Sequence, residues 1–334
     1  MNVLSLFDGM SCGQIALNRC GISYDNYFAS EIDKYAIIIT QKNYPETIQL
    51  GDIKNVKGPD LPKIDLIMAG SPCQGFSFAG KQKAFQDERS VLFYEFVRLL
   101  VECRPDYFLL ENVKMKKEYR DLISLILGVE PILINSNLVS AQNRPRLYWT
   151  NIPGVKQPED KGIFLKDIIF SGATAVTFTE RRTEEAKKIR KEMLKNGRDF
   201  SPRRAKEMVA RKDGKSNCLT ANLSKEHLIL SKKAIDYMNK KTSDGRTHGD
   251  FKHHSESKNL KSATVVSNFF KGVPYNVLKD FDCIRKFHPV ECERLQTVPD
   301  DYTKGVSNMQ RYKMLGNGWT IDVITHILKG VKSK

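Results

Sequence analysis

Through its first 150 residues the chain alternates short apolar runs with segments whose apolar positions recur at helical spacing. The runs Asn2–Phe7, Tyr27–Ile32, Ile48–Leu50, Ile64–Ala69, Tyr107–Leu110 and Ile132–Leu138 are predicted strands, with Leu147–Ile152 as a further one. Between them Gln14–Cys20, Lys34–Lys42 and Val91–Glu102 are predicted helices. Such alternation predicts an α/β fold: a parallel, doubly wound sheet with helices on both faces. Glycine-rich and polar segments after Pro153 mark a boundary near 153–175.

From Thr179 the texture changes. Thr183–Asn196 reads as a charged helix, and Ser201-Pro202 as a helix start, with serine as N-cap and proline at the first position. Asn217–Thr220, Leu228–Leu230 and Ala263–Val266 are short β-like pieces in Lys-, Ser- and Asn-rich loops. Thr242–Lys261 is polar, and its histidines (His248, His253, His254) lack spaced cysteine or carboxylate partners, so no metal is expected. Helical patterning returns at Val290–Leu295 and Ile321–Leu328, and the last of these is expected to fold back onto the first domain.

Composition narrows the classes. No uncharged apolar run approaches the ~20 residues that span a bilayer, and the N-terminus lacks the basic segment of a signal peptide, so neither membrane insertion nor secretion is expected. The seven cysteines are scattered without a CxxC pair, which supports neither a zinc ribbon nor a disulfide framework. Charge is placed unevenly. Residues 1–150 carry 17 basic and 17 acidic side chains, residues 151–284 carry 28 and 17, and residues 285–334 carry 9 and 5. A neutral first half joined to a basic region suggests chemistry in one and a polyanion grip in the other.

Candidate chemistry gathers where strands end. Phe7-Asp8-Gly9-Met10-Ser11-Cys12-Gly13 links the first strand to the first helix, where a glycine turn lets backbone amides approach a ligand. Glu31, about 20 residues on and at the end of the second strand, is where an acid takes ribose hydroxyls. Asp52, after the third strand, is placed for an adenine amino group. The dinucleotide pattern G-x-G-x-x-G is absent, so a nucleoside cofactor other than NAD is favoured, and S-adenosylmethionine fits best.

Gly70-Ser71-Pro72-Cys73-Gln74-Gly75 follows the fourth strand, with proline setting the backbone just before a cysteine that adjoins the expected pocket. A thiolate there is a good nucleophile if nearby positive charge lowers its pKa from ~8.5. The other six cysteines read as small buried hydrophobes. Glu111 closes an apolar strand, a place where an acid points into a site. Arg144 and Arg146 flank Pro145 and could bind phosphate, pair with Glu111, or form a surface salt bridge.

The ordered set Phe7-Asp8-Gly9, Gly70-Ser71-Pro72-Cys73-Gln74, Glu111-Asn112-Val113 and Gln142-Asn143-Arg144-Pro145-Arg146 resembles the DNA (cytosine-5)-methyltransferase family. It continues in Glu291-Cys292-Glu293-Arg294-Leu295-Gln296 and Leu315-Gly316-Asn317-Gly318-Trp319, so the resemblance covers residues 3 to about 328 except most of 155–280. One departure stands out: the last segment usually reads Gly-Asn-Ser and a small aliphatic residue, whereas Gly316-Asn317-Gly318-Trp319 is similar to the de novo animal branch and its phage and bacterial relatives.

The resemblance implies a Rossmann-like S-adenosylmethionine-dependent methyltransferase sheet over 1–154, a target-recognition domain over 155–280, and a C-terminal segment, 281–334, returning to the catalytic domain. It implies methyl transfer from S-adenosylmethionine to C5 of a flipped-out cytosine in duplex DNA, by a bacterial or phage-encoded protein that is cytoplasmic and nucleoid-associated, a monomer on DNA, with or without a partner restriction enzyme. In this reading Cys73 attacks C6, Glu111 holds N3 and the exocyclic amine, Arg146 contacts O2, and Arg144 orients Glu111. Cofactor contacts carried over are Phe7, Asp8, Gly9, Met10 and Cys12; Glu31, Ile32, Asp52 and Ile53; Pro72 and Leu92; and Asn317, Gly318 and Trp319. The segment from Gln74 to Ser90 would close over the flipped base, with Phe76, Ser77 or Phe78 filling the gap in the stack. Two rivals remain. The Cys-Phe-Thr signature of the tRNA-modifying branch is absent, and a catalytically dead DNA-binding regulator would lack the nucleophile or Glu-Asn-Val, which this chain keeps.

Overall fold

In a computed structural model of the chain, the structure describes residues 1–71, 91–169, 178–196, 206–210, 213–216, 218, 228–229 and 285–332. These fall into two compact units: Met1–Ile163 with Cys218–Ala221 and Cys292–Lys334, and Phe164–Asn217 with Asn222–Glu291. The sequence-based boundaries at 154 and 280 did not separate Cys218–Ala221 from its surroundings, because a four-residue excursion leaves no compositional mark.

The first unit is built on seven strands: β1 (Asn2–Leu6), β2 (Asn26–Ser30), β3 (Ile48–Gln49), β4 (Leu66–Ala69), β5 (Tyr107–Val113), β6 (Ile132–Asn135) and β7 (Pro145–Thr150). Their spatial order is β3-β2-β1-β4-β5-β7-β6. The strands from β3 to β5 pair in parallel, which requires crossover helices on the faces and explains why β4 is apolar along its whole length and β1 is buried from Val3 to Leu6. β7 departs from the expected parallel sheet. It returns from β6 through a short connection and inserts antiparallel between β5 and β6, as a link too short for a crossover dictates.

Helices α1 (Cys12–Cys20), α2 (Lys34–Asn43), α3 (Val91–Cys103) and α4 (Lys117–Leu127) connect these strands. α3 buries Phe93, Phe96 and Leu99, one stripe at helical spacing, into a core with Phe28, Ile53, Ile67, Leu110 and Trp149. Helix Ile321–Leu328 packs against α1, with Arg19 and Asp322 in an ion pair at 2.6 Å. A Cβ at Gly330, just past that helix, would stand 2.3 Å from the Pro153 carbonyl oxygen, so only glycine permits this close approach. Neither α4 nor the helix Asn308–Asn317 was anticipated from pattern: α4 is rich in charge, and the other mixes Gln, Arg and Lys through its apolar positions.

In the second unit Phe178–Arg182 pairs antiparallel with Lys206–Ala210, and Leu228–Ile229 with Arg285–Lys286. Helix Glu184–Lys195 starts at Thr183, whose hydroxyl accepts the Ala186 amide at 3.3 Å. The expected helix start at Ser201-Pro202 lies outside the described residues. The expected strand Ala263–Val266 also lies outside them, as do the three histidines. Among the described residues no helix is long and apolar enough to cross a membrane.

Candidate active site

Beyond β1 the chain passes through three left-handed positions within five residues: Phe7 (φ 58°), Gly9 (φ 61°) and Ser11 (φ 61°). Glycine adopts this conformation freely, but residues with a Cβ do so at a cost of about 1–2 kcal/mol. What holds the loop is Glu31, at the end of β2. Its Oε2 accepts the Gly9 amide at 2.7 Å, and its Oε1 accepts the amides of Ile32 and Asp33, each at 2.7 Å. A carboxylate offers about four acceptor positions, so roughly one remains for a ligand hydroxyl. Asp52 caps the short helix Ile53–Asn55 by accepting the Lys54 amide at 3.0 Å, facing the same cleft.

Asp8 sits beneath this loop, buried, with its Oδ1 accepting the Tyr27 hydroxyl at 2.8 Å and its Oδ2 without a partner among the described residues. Burial pushes its carboxyl up to about 6, with the nearby charge of Glu31 adding to the shift and the Tyr27 hydrogen bond working against it. An acid whose folded pKa lies above its ordinary 3.8 stabilises the fold in its protonated form. That contribution is complete below the ordinary value and lost as pH rises through about 6. Asp8→Asn should therefore gain on the parent between roughly pH 4.5 and 7.5, by about 2 kcal/mol at 1.36 kcal/mol per pH unit, because about 1.5 pH units of that window lie below the raised value. Urea unfolding at the two pH values measures it, and an equal difference at both would contradict the assignment.

The opposite end of the cleft is formed where β4, β5 and β7 meet. Glu111 on β5 faces Arg146 on β7, with Nε 2.9 Å from Oε1, both side chains nearly buried. The structure thus pairs Glu111 with Arg146 rather than with Arg144, which was expected to orient it. Arg144 instead donates to the carbonyls of Gly316 (3.2 Å) and Gly318 (2.9 Å), tying β7 to the C-terminal segment. The cause is register: Arg146 lies opposite Val113 on the neighbouring strand, while Arg144 precedes the strand and is free to point toward Gly316. Asn112 donates to the Ser71 hydroxyl at 3.0 Å and so joins the end of β5 to that of β4, one residue before Pro72.

Cys218, expected to be a small buried hydrophobe, instead contacts two charged side chains. Its sulfur accepts from Arg144 Nη1 at 3.1 Å and from Arg146 Nη2 at 3.5 Å. Burial opposes its ionisation, yet the two guanidinium groups outweigh burial and bring the thiol below its usual range. Cys12 is the contrast: burial pushes its thiol up to about 12, so it stays protonated.

Between the two ends runs one cleft of about 510 Å³. Of the expected cofactor contacts, Phe7, Asp8, Gly9, Cys12, Glu31 and Ile32 line it, as do Asp52, Ile53, Leu92, Asn317, Gly318 and Trp319. Glu111, Arg144 and Arg146 line the same cleft. Met10 does not: its side chain is buried, and its carbonyl accepts the Tyr302 hydroxyl at 2.7 Å. Pro72, Cys73 and the segment Gln74–Ser90 lie outside the described residues. Lys313, paired with Asp33 at 2.6 Å, also lines the cleft and was missed, since nothing in its local sequence distinguishes it from a surface lysine. The cleft suits an adenosine-bearing ligand. Ile32, 75% exposed, offers an apolar face beside the Glu31 carboxylate. Among the described residues no group of three or more His, Cys, Asp or Glu side chains could hold a metal ion.

Comparison with known proteins agrees with this arrangement. A family model described as C-5 cytosine-specific DNA methylase matches residues 1–333. The orphan methyltransferase M.SPRI of Bacillus phage SPR is 36% identical over 165 residues, 46% of this chain and 38% of the phage protein; the chain thus spans little more than a third of that relative's length. The Type II methyltransferase M.NlaX of Neisseria lactamica is 26% identical over 346 residues, covering 99% of this chain and 96% of its own. Among solved structures, a mutant of Spodoptera frugiperda DNMT2 superposes with a TM-score of 0.59 at 20% identity, covering 98% of both chains. At that identity the likeness speaks for the fold alone.

Proposed function

The chain belongs to the C-5 cytosine-specific DNA methylase family, and we propose that it methylates C5 of a flipped-out cytosine in duplex DNA through a covalent bond between the Cys73 sulfur and C6. The observation that carries this reading is the single cleft with Glu31, Asp52 and Ile32 at one end and the Glu111–Arg146 pair at the other. That lining supports a nucleoside cofactor at one end and a heterocycle with adjacent donors and acceptors at the other.

Cytosine C5 is a poor nucleophile until the ring is activated. The Cys73 thiolate adds to C6, and the electron pair so displaced makes C5 nucleophilic. Glu111 binds N3 and the exocyclic amine and stabilises the charge that builds in the ring, while Arg146 contacts O2 and holds Glu111 in place. S-adenosylmethionine supplies an electrophilic methyl group on a sulfonium. Once C5 carries the methyl, loss of the C5 proton restores the double bond as the sulfur–C6 bond breaks. Arg144 acts at a distance from the base, anchoring the Gly316–Gly318 segment that forms one wall of the cleft.

The unit comprising 164–217 and 222–291 is the target-reading part in this proposal, and the basic surplus of residues 151–284 supports its engaging the phosphate backbone of DNA. Phosphate contacts release counterions, so DNA affinity is expected to fall roughly 10³-fold or more between 50 and 200 mM salt if about six phosphates are engaged. Fluorescence anisotropy with a duplex across that range measures the slope, and a flat line would reduce the basic surplus to solubility. The function itself is tested by tritium transfer from labelled S-adenosylmethionine to duplex DNA and to tRNA. Label in the DNA as 5-methylcytosine is the expected result; label in tRNA alone, or in neither, would overturn it.

A further inference from the structure

Sheet order places β4 between β1 and β5. β1 leads into the Phe7–Ser11 loop at the nucleoside end of the cleft, and β5 carries Glu111 and Asn112 among its last residues, at the base end. A group passing from donor to base therefore crosses the end of β4, at Gly70 and Ser71. One large side chain stands there. A Cβ built on Gly70 would lie 2.8 Å from Trp319 Nε1, 3.3 Å from Cε2 and 3.4 Å from Cζ2. The indole thus occupies the space that a side chain at position 70 would fill, and it also lines the cleft.

The backbone that carries the ring is held on both sides. Gly318, before it, has its carbonyl bonded by Arg144 at 2.9 Å and by Gln296 at 3.2 Å. Thr320, after it, donates to Gln296 Oε1 at 2.8 Å and accepts from the Ser136 hydroxyl at 2.9 Å. Trp319's own carbonyl faces the Cys12 sulfur at 3.9 Å. The bonds at Thr320 are buried and those to the Gly318 carbonyl partly so, and displacing the backbone would leave polar groups without partners.

We propose that Trp319, packed on Gly70, is a specificity-determining residue that restricts the transferable group on the donor's sulfonium to methyl. The inference rests on the methyltransferase reading and deepens it. In the transfer the carbon–sulfonium bond breaks with its electron pair remaining on sulfur, which becomes a neutral thioether. The new bond forms from the ring's electron pair at C5, and the C5 proton goes to solvent as Cys73 leaves. A longer alkyl group obeys the same balance and differs only in the room it needs.

The test uses the full chain, duplex DNA, S-adenosylmethionine and an S-adenosyl analogue carrying a propargyl group in place of methyl. Products are read by mass spectrometry of the DNA nucleosides, and affinity for both donors by calorimetry. Wild type is expected to disfavour propargyl transfer at least about 100-fold, and Trp319→Val to raise the propargyl-to-methyl ratio at least about tenfold. Gly70→Ala should impair methyl transfer, and adding Trp319→Val should restore it, because the clash is with the indole. If Trp319→Val fails to fold, Trp319→Leu and Trp319→Phe provide a graded series. Equal use or equal binding of the two donors by wild type, or a ratio unmoved by a folded variant, would overturn the size limit. Binding of S-adenosylmethionine with selection against the analogue, but no methyl in DNA, would support the limit while refuting the DNA-methylating function. No binding of either donor would refute both.

Discussion

Cys73→Ser should lower methyl transfer to DNA by about six orders of magnitude, the size of loss seen when a covalent nucleophile is removed. A hydroxyl is far less acidic than a thiol, so at neutral pH it offers almost none of the anion that must add to C6. The Glu111–Arg146 pair would remain to bind the base, so DNA affinity should change little while turnover collapses. Duplex containing 5-fluorocytosine makes the point directly. Fluorine cannot leave from C5 as a proton does, so the wild-type chain should become covalently attached to such DNA and the serine variant should not. A serine variant that methylates near the parent rate would remove Cys73 from the mechanism.

The second large effect concerns stability. Glu293 is fully buried, and its carboxylate accepts from the Asp301 amide at 2.7 Å, the Thr303 amide at 2.9 Å, the Thr303 hydroxyl and Arg311 Nη2 at 3.0 Å. Arg311 is 6% exposed, and its Nε donates to the Thr303 hydroxyl at 2.8 Å. Glu293→Ala would leave two amides without their acceptor and the buried guanidinium with only the half-exposed Asp301 carboxylate, 3.7 Å away, as an acidic partner. Removing one member of a buried pair costs about 3–5 kcal/mol, so a matching fall in unfolding free energy is expected in urea titrations. Glu293→Ala combined with Arg311→Met should recover part of that loss, since no uncompensated charge remains. A single variant within about 0.5 kcal/mol of the parent would show that the pair carries no such stability.

These two residues also show how unevenly the molecule can be read in advance. Cys73 stands out locally: proline before it, glycines around it, and an apolar strand leading in. Glu293 has no such signal. It is one of three acids and bases in Glu291-Cys292-Glu293-Arg294, of which Arg294 pairs with exposed Asp300 while Glu293 turns into the core. The choice depends on residues 301–311 folding over it, and sequence spacing does not encode that approach.

Strand and helix periodicity, the glycine turn after β1, the acids closing β2 and β5, and the neutral and basic halves were all written in the residues themselves. Each depends on local backbone chemistry or on summed charge. The tertiary structure decided what required distant segments to meet. It inserted β7 antiparallel beside β5, giving Arg146 rather than Arg144 to Glu111. It brought Cys218 from within the basic region onto both arginines, and it set Trp319 on Gly70. Those partners are separated by 35 to 249 residues in the chain, and what joins them is packing and burial, which act through space and leave no periodic trace in the sequence.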